Sequence, residues 1–66
     1  MDISKIAKKV RKERERLGLS VRKFALKADM DPLTVTNVES GNHLPSLATI
    51  IKLAEATGKA PAWFLQ

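Results

Sequence analysis

The chain has 66 residues, enough for one small domain, and residues 1–66 read as a single unit. A domain this short buries only about 60% of the surface its unfolded chain exposes, so it is expected to be marginally stable. With no cysteine and one histidine it has neither a disulfide nor an ordinary zinc site.

No apolar run approaches the ~18 residues of a membrane helix. The lysines near the start are not followed by the apolar stretch of a signal peptide. No membrane association and a cytoplasmic location are therefore expected. The composition is 44% hydrophobic, so the core must come from aliphatic packing. Twelve Lys and Arg against seven Asp and Glu give a net charge of +5, and the excess is uneven. Residues 1–30 carry ten bases and four acids, residues 31–66 two bases and three acids. One face for phosphates and another for protein contacts would suit that division; simple solubility would also account for it.

Taken in chain order, Asp2 can cap a first helix from about Ile3 to Leu17. Ile3, Ile6, Val10 and Leu17 recur there at helical spacing, with Ala7 beside them, and charged residues are expected on the other faces. Gly18 is a natural left-handed stop. Ser20 is a good N-cap for a second helix, from about Val21 to Ala28. Asp29-Met30-Asp31 turns the chain, with Met30 expected to fill the gap between helices. Asp31-Pro32 then starts a third helix, from about Pro32 to Ser40: the acid caps, and proline occupies the first helical position, where its missing N–H costs nothing. Val35 and Val38 are expected inward, and Gly41 ends the helix. Asn42-His43-Leu44-Pro45 reads as a loop. Ser46 caps a fourth helix, from about Leu47 to Thr57, whose apolar positions Leu47, Ile50, Ile51, Leu53 and Ala54 form a broad stripe. After Gly58, Pro61–Leu65 is a short apolar fifth turn. Nothing resembles a strand or a repeat, so the expected fold is all-α, a compact five-helix bundle. The second and third helices, joined by a tight turn, have the layout of a helix-turn-helix, which can place one helix in the major groove of DNA.

The run Gly18-Leu19-Ser20, Phe24-Ala25, Val35, Val38-Glu39-Ser40-Gly41, Pro45-Ser46-Leu47, Leu53-Ala54 and Gly58 resembles the phage repressor/Cro-type (xenobiotic-response-element, XRE) helix-turn-helix family over nearly the whole chain. The resemblance implies a lambda-repressor-like DNA-binding domain that binds operator DNA as a homodimer. It also implies an internal ion pair. Arg14 and Glu39 match positions where an arginine of the first helix meets a glutamate of the third, a suitable fork-on-carboxylate arrangement. Two solvated surface charges are the alternative. The chain departs from the family at Val21, where a glutamine usually reaches a phosphate, and at Pro32 and Leu33, where polar residues are common.

For base reading, Leu33, Thr36 and Asn37 fall on one face of the third helix, with Pro32 at its start. The Asn37 amide can pair bidentately with adenine, and Leu33 and the Thr36 methyl suit thymine methyls. A half-site containing A·T pairs is expected, with DNA shape carrying a large share of the specificity. Candidate phosphate contacts are the Val21 backbone N–H, Arg22, Lys23, Thr34, Ser40, Asn42 and His43, with Lys27 in support. The lysines of the first helix are less certain to face DNA. Trp63 and Phe64 either close the core or join a dimer face; the expectation is Trp63 mainly in the core, with Phe64 or Leu65 nearer the interface.

Double-stranded DNA is thus the expected partner, and a transcriptional regulator, as a repressor, the expected function. An antitoxin that binds a toxin partner and regulates its own operon is the alternative. No cofactor is expected. An enzyme is disfavoured, since the chain offers no paired carboxylates at useful spacing, no nucleophile–base pair and no glycine-rich phosphate loop.

Overall fold

A computed structural model of the chain describes residues 2–66. Five helices run in the order α1 (Ile3–Arg16), α2 (Val21–Lys27), α3 (Pro32–Ser40), α4 (Leu47–Thr57) and α5 (Pro61–Leu65), with no strand among the described residues. The body measures 27 × 23 × 20 Å.

The starts are chemical. The Asp2 carboxylate accepts from Ser4 N–H, the Ser20 hydroxyl from Lys23 N–H, the Asp31 carboxylate from Leu33 N–H, and the Ser46 hydroxyl from Thr49 N–H. Each cap is worth about 1 kcal/mol by satisfying one orphan donor of the first turn. Pro61 begins α5 behind Ala60, which has no capping side chain.

The stops of α1, α2 and α3 share one geometry. Leu17 and Ala28, expected to be the last helical residues of α1 and α2, are instead their C-caps. After α1, Leu19 N–H reaches back to the Arg14 carbonyl; after α2, Met30 N–H reaches the Ala25 carbonyl. Both are six-to-one closures with a left-handed residue in between. After α3 the left-handed residue is Gly41, at φ +73°, which packs beside the Ile3 and Ala7 side chains. In the turn between α2 and α3 it is Asp29, at φ +55°, where the geometry favours glycine. Lys52 of α4 holds that turn: its ammonium donates to the Asp29 carbonyl at 2.9 Å.

Phe24, Phe64, Ile6, Ile50, Leu53, Val10 and Val35 are fully buried and come from all five helices. Met30, Leu17, Leu19 and Val21 pack on this cluster from its margin. Burying each large side chain contributes roughly 1.5–3 kcal/mol.

Two expectations are corrected here. Phe64 does not lie near a surface: it is wholly buried, and the half-buried residue is Trp63. The two rings meet edge to face, with centroids 5.0 Å apart. The packing of α5 buries Phe64 and leaves the Trp63 face to the ammonium groups of Lys9 and Lys59, 5.0 and 4.9 Å from its ring centre. Lys9 also donates to the carbonyls of Trp63 and Gln66, tying the C-terminal turn to α1. The second correction is Glu13, which is buried rather than on a charged outer face. Arg16 donates to its carboxylate at 2.9 and 3.0 Å and to the Thr57 carbonyl at 3.1 Å. That link joins the ends of α1 and α4 and raises the Arg16 pKa, chiefly through the hydrogen bond to Glu13.

Arg14 and Glu39 form the expected pair. Arg14 Nε donates to Glu39 Oε2 at 2.7 Å and Nη2 to Oε1 at 3.1 Å, while Nη1 donates to the Leu19 carbonyl at 2.9 Å. The hydrogen bond to Glu39 raises the Arg14 pKa above its ordinary value, so the guanidinium stays charged throughout the usable pH range. This fork connects the last turn of α1 to the last turn of α3.

Two outcomes follow for stability. Asp29→Gly should raise stability by about 0.5–1 kcal/mol in urea denaturation, because glycine adopts φ > 0 without strain; a loss above that size would show that the aspartate side chain itself holds the turn. Glu39→Ala should cost about 3 kcal/mol, because it leaves a guanidinium with little water access unpaired, whereas joint Arg14→Met and Glu39→Leu replacement should recover much of the loss.

Candidate nucleic-acid interface

Val35 and Val38 anchor α3 in the core, so the opposite side of the helix must face outward. Leu33 is 64% exposed, Pro32 and Thr36 are exposed, and Asn37 is half-buried. Leu33, Thr36 and Asn37 lie at i, i+3 and i+4, and these neighbours form one strip along the helix. No hydrogen bond within the chain occupies the Asn37 amide among the described residues, so its donor and acceptor can both meet a base edge.

The surroundings are cationic but less uniformly than the composition implies. Arg22, Lys23 and Lys27 are exposed on α2. Asn42 and His43 are exposed in the loop after α3. Thr34 is half-buried. The Ser40 hydroxyl donates to the Asn37 carbonyl at 3.0 Å, so its proton is committed within the helix and it meets an anion only after rotating. The Val21 side chain packs against the core margin. Only its backbone N–H is therefore available to a phosphate, at the start of a helix where Ser20 already serves Lys23 N–H. On α1, Lys9, Arg14 and Arg16 are engaged in hydrogen bonds within the chain, whereas Lys5, Lys8 and Lys12 are exposed and make none among the described residues.

Sequence reasoning overlooked one residue on this side. Arg11 lines an open cleft together with Arg14, Val21, Thr36, Glu39 and Ser40, so it flanks α3 from α1. The available signal was its spacing, one helical turn before Arg14 on the same face. The acidic residue buried in α1, Glu13, was also legible: it continues the row Ile6, Val10 and Leu17 at helical spacing.

Apolar side chains also remain outside. Leu47 is 67% exposed and Ile51 lies one turn further along α4, with Leu44 in the loop before it and Leu65 at the end of α5. The broad stripe expected of α4 is wider than the core it covers: Ile50, Leu53 and Ala54 are inside, while Leu47 and Ile51 are outside. Leu26 of α2 is exposed as well. Among the described residues no helix is long and apolar enough to cross a membrane, and no cluster of three acidic, histidine or cysteine residues could hold a metal ion.

Residues 10–64 match the family model described as helix-turn-helix. Among solved structures, the chain is similar to the restriction-modification controller protein C.AhdI from Aeromonas hydrophila. The two share 33% identity over 96% of each chain, with a TM-score of 0.88. Among curated proteins none matches. With α3 outward, α2 cationic beside it and the matched model spanning α2 through most of α5, the chain belongs to the repressor/Cro-type helix-turn-helix family of DNA-binding transcriptional regulators.

Proposed function

We propose that the chain is a dimeric repressor that binds a two-fold symmetric operator through α3. The observation that carries this reading is the exposed strip of Leu33, Thr36 and Asn37, backed by two buried valines and flanked by Arg22 and Lys23. Asn37 reads adenine through its amide, and Leu33 and the Thr36 methyl pack on thymine methyls. Pro32 shapes the entry of the helix and offers no side-chain hydrogen bond. With one strong polar reader, discrimination leans on groove shape and on phosphate contacts that fix the docking angle. Those contacts come from Arg22, Lys23, the Val21 N–H, Thr34, Ser40, Asn42 and His43.

Dimerisation is supported by two facts. A single module of this size buries too little DNA for tight specific binding. The exposed Leu47 and Ile51 form an apolar ridge on α4 that a second copy would cover, and Leu65 and part of Trp63 are open to solvent on α5. In such a pair the two α3 helices address half-sites about one helical turn apart, roughly 34 Å. The restriction-modification controller role of C.AhdI supports a regulatory role of the same kind for this chain. An antitoxin role draws no support from the matched proteins.

Gel retardation with the DNA upstream of the gene tests the reading, and specific retardation by the chain alone is the expected result. Asn37→Ala should cost about 1–3 kcal/mol on the operator and relax one base step, with non-specific affinity nearly unchanged. Arg22→Ala should instead weaken binding to all sequences alike and flatten the salt dependence. Ile51→Glu should give a monomer in sedimentation equilibrium; a dimer that survives this change uses another surface.

A further inference from the structure

The cleft beside α3 combines a neutral floor with one uncommitted cation. Arg14 directs three of its donors to Glu39 and the Leu19 carbonyl, so that pair brings no net charge to the cleft. Arg11 differs. Its side chain is 63% exposed, and among the described residues it makes no hydrogen bond to the protein. Its one charge partner there is Glu15, four residues on, at 3.8 Å and equally open to water. Exposed pairs of this kind separate at little cost.

The position of Arg11 relative to Thr36 decides what it meets. An α-helix with its side chains is about 10–12 Å across, and the major groove of B-DNA is about 12 Å wide. A helix that presents Thr36 to the bases therefore fills the groove, and the wall of the cleft next to Thr36 faces the sugar–phosphate rim. Arg11 is that wall. A guanidinium fork suits a phosphodiester, whereas Glu15 repels one.

We propose that Arg11 is a phosphate ligand in the DNA complex and that Glu15 restrains it in the free protein. On docking, Arg11 leaves Glu15 and forks onto a backbone phosphate bordering α3, while the Glu15 carboxylate turns to solvent. The exchange is purely ionic and breaks no covalent bond. It rests on the DNA-binding reading, to which it adds a contact from α1 and a built-in competitor that lowers the affinity for any duplex.

Fluorescence anisotropy with a short mixed-sequence duplex, titrated across salt concentrations, tests both residues independently of the operator. Arg11→Ala should weaken binding about 3- to 10-fold and make the log–log salt slope shallower by about 0.9 per bound chain. Arg11→Lys should retain part of the affinity, since the charge remains and the fork is lost. Glu15→Gln should tighten binding about 2- to 5-fold by freeing Arg11 and removing a charge that repels the phosphate, and most of that gain should vanish in the Arg11→Ala background. Thermal melting should place all variants near the parent, because the pair is exposed. An unchanged affinity and slope in Arg11→Ala would overturn the assignment. So would an equal gain from Glu15→Gln in both backgrounds, which marks a general charge effect. If the unaltered chain binds no duplex at all while its fold is intact, the DNA-binding reading itself falls and takes this assignment with it.

Discussion

The bidentate contact between Arg14 and Glu39 is the constraint around which the rest is arranged. It joins the longest helix to the last turn of α3, and the third guanidinium donor, on the Leu19 carbonyl, adds the segment that leads into α2. One planar group thus holds the end of α1, the segment leading into α2 and the last turn of α3 together. With side chains only 14% and 9% exposed, the two charges are shielded from water, so each depends on the other. The contact leaves α3 little freedom to roll about its axis. A roll would break two directional hydrogen bonds and lift Val35 and Val38 out of the core. The outward position of Leu33, Thr36 and Asn37 is thus a consequence of what is fastened on the inner side.

Charge on α1 is divided between structure and surface. Lys9 closes the C-terminal turn on Trp63, Arg14 holds α3, and Arg16 holds Glu13 and the end of α4. The helix that contributes most of the positive charge is therefore also the spine of the domain. A small chain has few apolar residues to spare, and ionic links to carbonyls let long side chains connect elements that the core reaches only in part. The cations left for a polyanion lie mainly on α2, on the exposed edge of α1, and at Arg11.

Two local features run against the tendency of the rest. Asp29 adopts a left-handed conformation that glycine would accept more easily, and Lys52 from α4 holds its carbonyl in place. The turn between α2 and α3 is thereby braced from a third helix, which keeps the angle of the helix-turn-helix independent of its own short loop. On α4, Leu47 and Ile51 stand in water although their neighbours Ile50 and Leu53 are in the core. An eleven-residue helix that is apolar over more than half its circumference has more apolar surface than one side of a small bundle can cover.

Helix number, helix starts and the inward valines were legible in the sequence, because caps, prolines, glycines and 3.6-residue periodicity act within a few residues of each other. The outward strip on α3 was legible for the same reason: once Val35 and Val38 are inside, Leu33, Thr36 and Asn37 have one place to go. The ion pair was legible only through family resemblance, since 25 residues separate its partners. Tertiary packing decided the rest. It buried Phe64 in place of Trp63, linked Arg16 to the Thr57 carbonyl, tied Lys9 to the carbonyls of the C-terminal turn, and brought Arg11 into one cleft lining with Thr36. Each of these depends on how one helix is rotated against another. That rotation follows from the simultaneous fit of all five helices, a quantity no single stretch of sequence contains.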